Sequence, residues 1–299
     1  MGKSTVAAAF GLAAARAGRR ALVVEVSGQH QLSRLFRSAE VAHDHERELV
    51  PGLFGISIDA ERATEEYLAG QLKVRPLVEL LTRSRAFHNF AAAAPGLPEL
   101  VTVGKIWSMA IALDEGTGRP VWDTVIVDCP ATGHGIALLE TAGNVEELAA
   151  GGPIRDQAAR IHEVVTHPAA TGVVIVALPE ELAVTEAIEA ATSLTEHGLP
   201  MAAAVLNGVR PPRFAATDEP ALTAVASSAD GPVAGAARAA LEYLEHQQAD
   251  AAYRDRLAAE SRLPVIELPH IVGRRLDLAA LETLADALVG SVPRVEEAA

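Results

Sequence analysis

Cysteine is almost absent: Cys129 is the only one in 299 residues. A single thiol excludes an intrachain disulfide framework and any zinc site built on a cysteine pair within one chain. Aromatic residues are scarce at 4%, and there are only three methionines, so the core must be aliphatic and alanine-rich. Positive charge is outnumbered, with 25 Lys and Arg against 39 Asp and Glu and a net charge of −14. That balance argues against a general affinity for nucleic acid or anionic membrane, which needs a basic face. Long hydrophobic runs are lacking too: stretches such as Gly172 to Leu178 are far too short to span a bilayer. The first twenty residues imitate a signal peptide through the apolar stretch Val6 to Ala15. Arg16, Arg19 and Arg20 then stand where a translocated chain would begin, and a strand-like run follows directly. These exclusions lead to the expectation of a soluble cytoplasmic protein with no nucleic-acid partner and no direct membrane span.

What is present is an alternation. Val6 to Ala17 reads as a helix of small residues stopped by Gly18. Ala21–Val26, Gly52–Ile58, Val121–Val127, Thr171–Leu178, Met201–Leu206 and Leu263–Leu268 are short apolar runs suited to buried strands. Helical patterns cover Glu181–His197, Ala234–Ser261 and Leu276–Leu288. Strands alternating with helices imply an α/β fold, a mostly parallel sheet with helices on both faces. Residues 60–112 are mostly helical in pattern, broken by Pro76, Pro95 and Pro98, and read as a helical insertion within a single domain over 1–299. Arg210–Gly231 reads as a loop, and Pro293–Ala299 as a frayed acidic tail.

Chemistry concentrates at the start. Gly2-Lys3-Ser4-Thr5 opens a helix, as does the second half of a P-loop. Backbone N–H groups at a helix head bind phosphate oxygens. Lys3 would reach the β and γ phosphates, Ser4 would ligate Mg²⁺, and Thr5 would contact the α phosphate. Such a loop must follow a strand, so a strand and most of a loop are expected ahead of Gly2. On this reading Met1 is a misassigned start, and the natural chain is longer by very roughly ten to twenty residues. The 299-residue chain is then expected to bind ATP poorly.

Further segments follow the order of one family. Asp123-Thr124-Val125-Ile126-Val127-Asp128-Cys129-Pro130-Ala131-Thr132-Gly133-His134 resembles the Walker B strand and switch II of the ArsA-type ATPases. This deviant P-loop group includes arsenite-pump and guided-entry targeting ATPases. The resemblance implies that Asp128 holds Mg²⁺ through water, that Gly133 lets the backbone approach a γ-phosphate, and that His134 orients. Val205-Leu206-Asn207-Gly208-Val209-Arg210 is similar to the family's strand end, where Asn207 would read adenine; an Asn-Gly turn is the alternative reading. Pro264-Val265-Ile266-Glu267-Leu268-Pro269-His270 is similar to the segment whose end, here Pro269 and His270, packs on the base. Ala177–Glu186 resembles the family's strand-to-helix passage, and Pro95-Gly96 the head of a helix in its insertion. ATP and Mg²⁺ are the implied cofactors, and a face-to-face dimer across the nucleotide, homomeric or with a paralogue, is the implied assembly.

The departures bear on mechanism. Where the family's switch I carries an Asp that activates water, this chain has Ser27, in Ser27-Gly28-Gln29-His30-Gln31-Leu32. A serine can position water but cannot take its proton at neutral pH. Glu25, two residues earlier and on the same side of a strand, is the nearest carboxylate and could substitute; a buried structural role for it is equally open. ATP binding with slow or partner-dependent hydrolysis is therefore expected. Cys129 alone cannot supply the several thiolates of an arsenite site or a CxxC zinc joint. The insertion carries an apolar stripe of Leu68, Leu72, Leu77, Leu80 and Leu81, with Phe87, Phe90, Trp107 and Met109. Core packing is its simpler account, and a groove for a hydrophobic client the other. His43-Asp44-His45 reads as a solvated face rather than a metal site.

Three functions compete. The first is an ArsA-type ATPase coupling nucleotide state to a client or partner. The second is a weakly hydrolysing regulatory subunit paired with an active paralogue, which Ser27 favours. The third, a MinD- or ParA-like positioning ATPase, wants a basic helix or face, and the acidic end Glu296-Glu297 argues against it.

Overall fold

The computed structural model describes residues 2–26, 31–43, 45–71, 96–130, 132–148, 151–228, 231–273 and 276–291. Helix α1 (Lys3–Arg16) leads through the left-handed turn at Gly18 into β1 (Ala21–Glu25). Then come α2 (Gln31–Phe36), β2 (Arg47–Val50), β3 (Leu53–Ser57), α3 (Ala60–Gln71), α4 (Leu97–Ala110) and β4 (Thr124–Asp128). The second half contains α5 (Thr132–Leu148), α6 (Pro153–Thr166), β5 (Val173–Ala177), α7 (Glu181–Glu196) and β6 (Met201–Val209). It closes with α8 (Glu219–Ser228), α9 (Pro232–Ser261), β7 (Val265–Pro269) and α10 (Leu278–Ser291).

The strands pair mostly in parallel, as the apolar runs imply, but in two sheets. One has the order β2-β3-β1-β4, with only the edge strand β2 antiparallel. The other is β5-β6-β7, wholly parallel. β4 and β5 each keep one edge without a partner among the described residues. Their burial shows the consequence. β1, paired on both sides, is buried throughout, whereas β4 and β5 are half-buried up to their last residue.

Period-two alternation distributes the strands' side chains between helical layers. Ala21 and Val23 of β1 face Ala7, Ala8 and Leu12 of α1, with Leu281 and Ala285 of α10. Leu22 and Val24 face the other way, toward Ile56, Val101 and Trp122. In the second sheet Val205 and Leu268 meet Val6 and Ala9 of α1 and Leu284 and Leu288 of α10. Ala204 and Leu206 meet Val184 and Ala187 of α7 and Leu257 of α9. Helices α1 and α10 thus form one layer lying on both sheets. The small residues of α1 allow this: a β-carbon on Gly11 would stand 2.6 Å from Val23 Cγ2 and 2.8 Å from Leu53 Cδ1.

Several elements depart from expectation. Arg210–Gly231 is not a plain loop, because it contains a 3₁₀ turn, Ala216–Asp218, and the helix α8. Pro220 lies in the first turn of α8, where a missing N–H costs nothing. Helix α5, masked in sequence by Gly133, Gly135 and Gly143, and strand β2, with Arg47 and Glu48, were not anticipated. The helical character of the 60–112 segment appears in α3 and α4, which pack on one another. Residues 72–95, with Leu72, Leu77, Leu80, Leu81, Phe87 and Phe90, lie outside the described residues. Met109 packs onto the Leu22, Val24 and Ile56 cluster, and Trp107 onto Leu100, Leu138 and Ile161, so both serve the core. His43 corrects the solvated-face reading. It is 7% exposed, its Nδ1 accepts the Asp59 N–H at 2.9 Å, and its Nε2 faces Glu66 at 3.3 Å and Lys105 at 3.0 Å. Among the described residues no group of three His, Cys, Asp or Glu could hold a metal ion.

Candidate nucleotide site

The head of α1 lies where the two sheets meet. Gly2 takes the left-handed conformation (φ 76°) and starts the helix without a side-chain cap or an acidic residue in its first turn. The first intrahelical bond runs from Val6 N–H to Gly2 C=O at 3.0 Å. The N–H groups of Lys3, Ser4 and Thr5 precede that bond and have no helical partner to give them one. A helix head in this state carries a partial positive charge suited to an anion.

Around it stand the C-terminal ends of the parallel strands, the usual ligand edge of an open α/β sheet. Glu25 ends β1 and Asp128 ends β4, and the two are register partners. Both lie on the α1 side, since Val23 and Ile126, two residues earlier on each strand, pack beneath that helix. Asp128 is 5% exposed. Burial pushes its carboxyl above the ordinary range and the nearby Glu25 adds to this, while a hydrogen bond from Ser4 and the charge of Lys3 oppose it. Ser4 and Asp128 are thus already in contact, a hydroxyl beside a carboxylate, which is the donor set that a hard cation takes. Burial, with the charge of Asp128, pushes the neighbouring Cys129 thiol up to about 11. That burial disfavours the reactive thiolate.

The other sheet brings the base-reading candidates. Asn207 and Gly208 lie inside β6, not in a hairpin turn; Gly208 (φ 89°) sits at a register shift against β7. Asn207 pairs with Leu268 and Val209 with Pro269, and His270 N–H donates to Val209 C=O at 2.8 Å. Asn207, Pro269 and His270 are therefore one cluster at the strand ends. It touches the phosphate end directly, since a β-carbon on Gly2 would lie 2.5 Å from Asn207 Nδ2. Thr5 is buried. Gly133 and His134 are exposed at the head of α5, and open space lies over Gly133. Ser27 lies outside the described residues.

Sequence reasoning missed one part of this rim. Asp250 of α9, 2% exposed, accepts Arg210 N–H at 2.8 Å and Arg210 Nη1 at 2.7 Å. This pair fixes the chain as it leaves β6, just past Asn207. The only signal was an aspartate at a position of α9 that otherwise carries small and apolar residues inward.

Comparison with known proteins gives the family. Residues 1–150 match the family described as anion-transporting ATPase, ArsA type. The chain belongs to this family. It is 29% identical over 306 residues to the ATPase BagA of Mycobacterium tuberculosis, covering 96% of this chain and 89% of that protein. It is 26% identical to an arsenical pump-driving ATPase of Escherichia coli over 73% of this chain and 39% of that protein. A pump-driving ATPase of Acidiphilium multivorum is 27% identical over 71% of this chain and 38% of that protein. As a member of the ArsA-type family the chain has the P-loop nucleoside-triphosphatase fold, and nucleotide use goes with it. Among the described residues no helix is long and apolar enough to cross a membrane.

Proposed function

We propose that this chain binds ATP with Mg²⁺ between the head of α1 and the ends of β6 and β7, and hydrolyses it slowly or when a partner engages. The observation that carries this reading is the convergence of Gly2, Ser4, Asp128 and Asn207, which come from the beginning, middle and last third of the chain. The bare N–H groups of residues 3–5 and Lys3 would hold the phosphates. Ser4 and Asp128 would hold Mg²⁺, the latter through water, and the cation would supply charge neutralisation at the β and γ oxygens. Asn207 offers a donor and an acceptor side by side, which suits the adenine edge, and Pro269 and His270 form the wall beside it. Switch II, at Gly133 and His134, is the segment free to respond to the γ-phosphate.

Coupling of this cycle to a client or partner, through a nucleotide-bridged homodimer or heterodimer, belongs to the same proposal, as does a cytoplasmic location. Thiol-dependent transport of a metalloid does not, because it needs several thiolates and Cys129 is the sole cysteine. Ser27 in place of the family's acid favours a second reading, a regulatory subunit that binds nucleotide but scarcely turns it over.

Calorimetric titration with ATP, ADP and GTP in Mg²⁺, beside steady-state phosphate release, tests both. Weak ATP binding with preference over GTP, lost in Lys3→Ala, is expected, with weak turnover in isolation. Absence of nucleotide binding would defeat the reading. Turnover at the rate of ordinary ATPases without any partner would defeat its slow or partner-dependent part.

A further inference from the structure

Glu25 is wholly buried, at the end of β1 and opposite Asp128 in register. One of its carboxylate oxygens has an occupation: Oε1 accepts the N–H of Gln31, the first residue of α2, at 2.8 Å. The other, Oε2, is buried and has no hydrogen-bond partner. A buried carboxylate oxygen left unpaired is expensive. Here a second buried carboxylate, that of Asp128, ends the neighbouring strand directly beside it. A helix cap alone does not account for this, since an amide or hydroxyl would accept the Gln31 N–H without the charge.

Resting on the nucleotide-site reading, we propose that Glu25 is the second carboxylate of the divalent-cation cradle. Its unpartnered Oε2 would hold a water of the cation's shell beside Asp128 and Ser4. The pair of strand-end carboxylates is then balanced by a hard cation that keeps several of its waters. Glu25 acts through those waters and through Gln31, so it is a positioning residue. It ties the head of α2, which begins within the switch I counterpart, to the state of the cation site.

The test separates the charge from the cap. Glu25→Gln preserves an acceptor for Gln31 N–H and removes the carboxylate. Gln31→Pro removes the N–H at a first-turn position that tolerates proline and leaves the carboxylate. ATP affinity is measured calorimetrically in EDTA and across a Mg²⁺ series for the wild type and both variants. Glu25→Gln is expected to bind ATP in EDTA as the wild type does and to need about 10–100-fold more Mg²⁺ for half-maximal tightening, the usual penalty for losing an outer-shell partner. Gln31→Pro is expected to keep the wild-type Mg²⁺ requirement. A Mg²⁺ requirement in Glu25→Gln within about twofold of wild type, or an equal rise in Gln31→Pro, reduces Glu25 to a cap and overturns the proposal. If Glu25→Gln does not fold, Glu25→Asp, which withdraws the carboxylate by one methylene, must show the raised requirement instead. A wild-type protein that binds no ATP in either condition removes the nucleotide reading itself, a result distinct from an unchanged Mg²⁺ requirement.

Discussion

Gly2 and Asn207 touch: a β-carbon added to Gly2 would stand 2.5 Å from the Asn207 side-chain nitrogen. The residue that opens the phosphate-binding helix and the residue suited to reading the base thus share one wall. Gly2 also holds a left-handed conformation, at φ 76°, which costs an L-residue about 1–2 kcal/mol.

Gly2→Ala is therefore expected to shift Asn207 and distort the helix head together. ATP affinity should fall by roughly tenfold or more, the equivalent of about 1.4 kcal/mol. Melting temperature should fall by only a few degrees, in keeping with that cost. Asn207→Ala should instead narrow the preference for ATP over GTP. Equal affinities for ATP in wild type and Gly2→Ala, by calorimetry, would show that the wall between the two residues is not part of a ligand site.

Asp128 sets a stability cost against function. Its carboxyl is raised above the ordinary range, chiefly by burial, so the folded state binds the proton more tightly than the unfolded chain. The stability from that proton is fully present below the ordinary carboxylate value and is lost as pH rises through the raised one. Asp128→Asn lacks this titration and can keep a partner for Ser4. In EDTA the wild type should match the variant at acid pH and fall behind it by roughly 1–3 °C in melting temperature toward neutrality. With Mg²⁺ and ATP the order should reverse, because the wild type gains more stability from the ligand. A difference between the two proteins in EDTA that stays flat from acid to neutral pH would count against a raised carboxyl at Asp128.

How far the sequence led can be judged from particular residues. Lys3–Arg16, Ala21–Glu25 and Glu181–Glu196 were legible because their apolar periodicity and their stops, such as Gly18, coincide with the local backbone preference. Asp128 and Asn207 stood out only through the resemblance of their segments to the family's switch II and base-reading strand; by residue type alone a strand-end cap and an Asn-Gly turn remained open. Helix α5 was hidden because glycine, unfavourable in a helix by about 1 kcal/mol, recurs in it; packing requires it at Gly135 and Gly143, where a β-carbon would lie 3.1 Å from Pro130 O and 3.0 Å from His162, but not at Gly133. The division into two sheets was not legible at all, since pairing between strands far apart in sequence leaves no local trace. The same holds for His43, whose burial depends on Asp59, Glu66 and Lys105, and for Asp250.

The Arg210–Asp250 pair supplies a prediction about stability and the base-side wall at once. Asp250 is 2% exposed, while the Arg210 side chain keeps 34%. Removing the arginine leaves a buried carboxylate with only the Arg210 backbone N–H, held at 2.8 Å. Removing the charge on the aspartate leaves a cation that can turn to solvent, and an asparagine still accepts that N–H. The asymmetry fixes the order. Arg210→Ala should cost about 2–4 kcal/mol and Asp250→Asn about 1 kcal/mol, the former near its low end because the pair is partly wet. The double variant should be more stable than Arg210→Ala alone, since it removes the stranded charge. Urea unfolding of the four proteins measures this cycle. Because Arg210 follows directly on β6, just past Asn207, ATP affinity should fall in the same order as stability. An Asp250→Asn protein less stable than Arg210→Ala would show that the aspartate serves α9 itself, not the exit from β6.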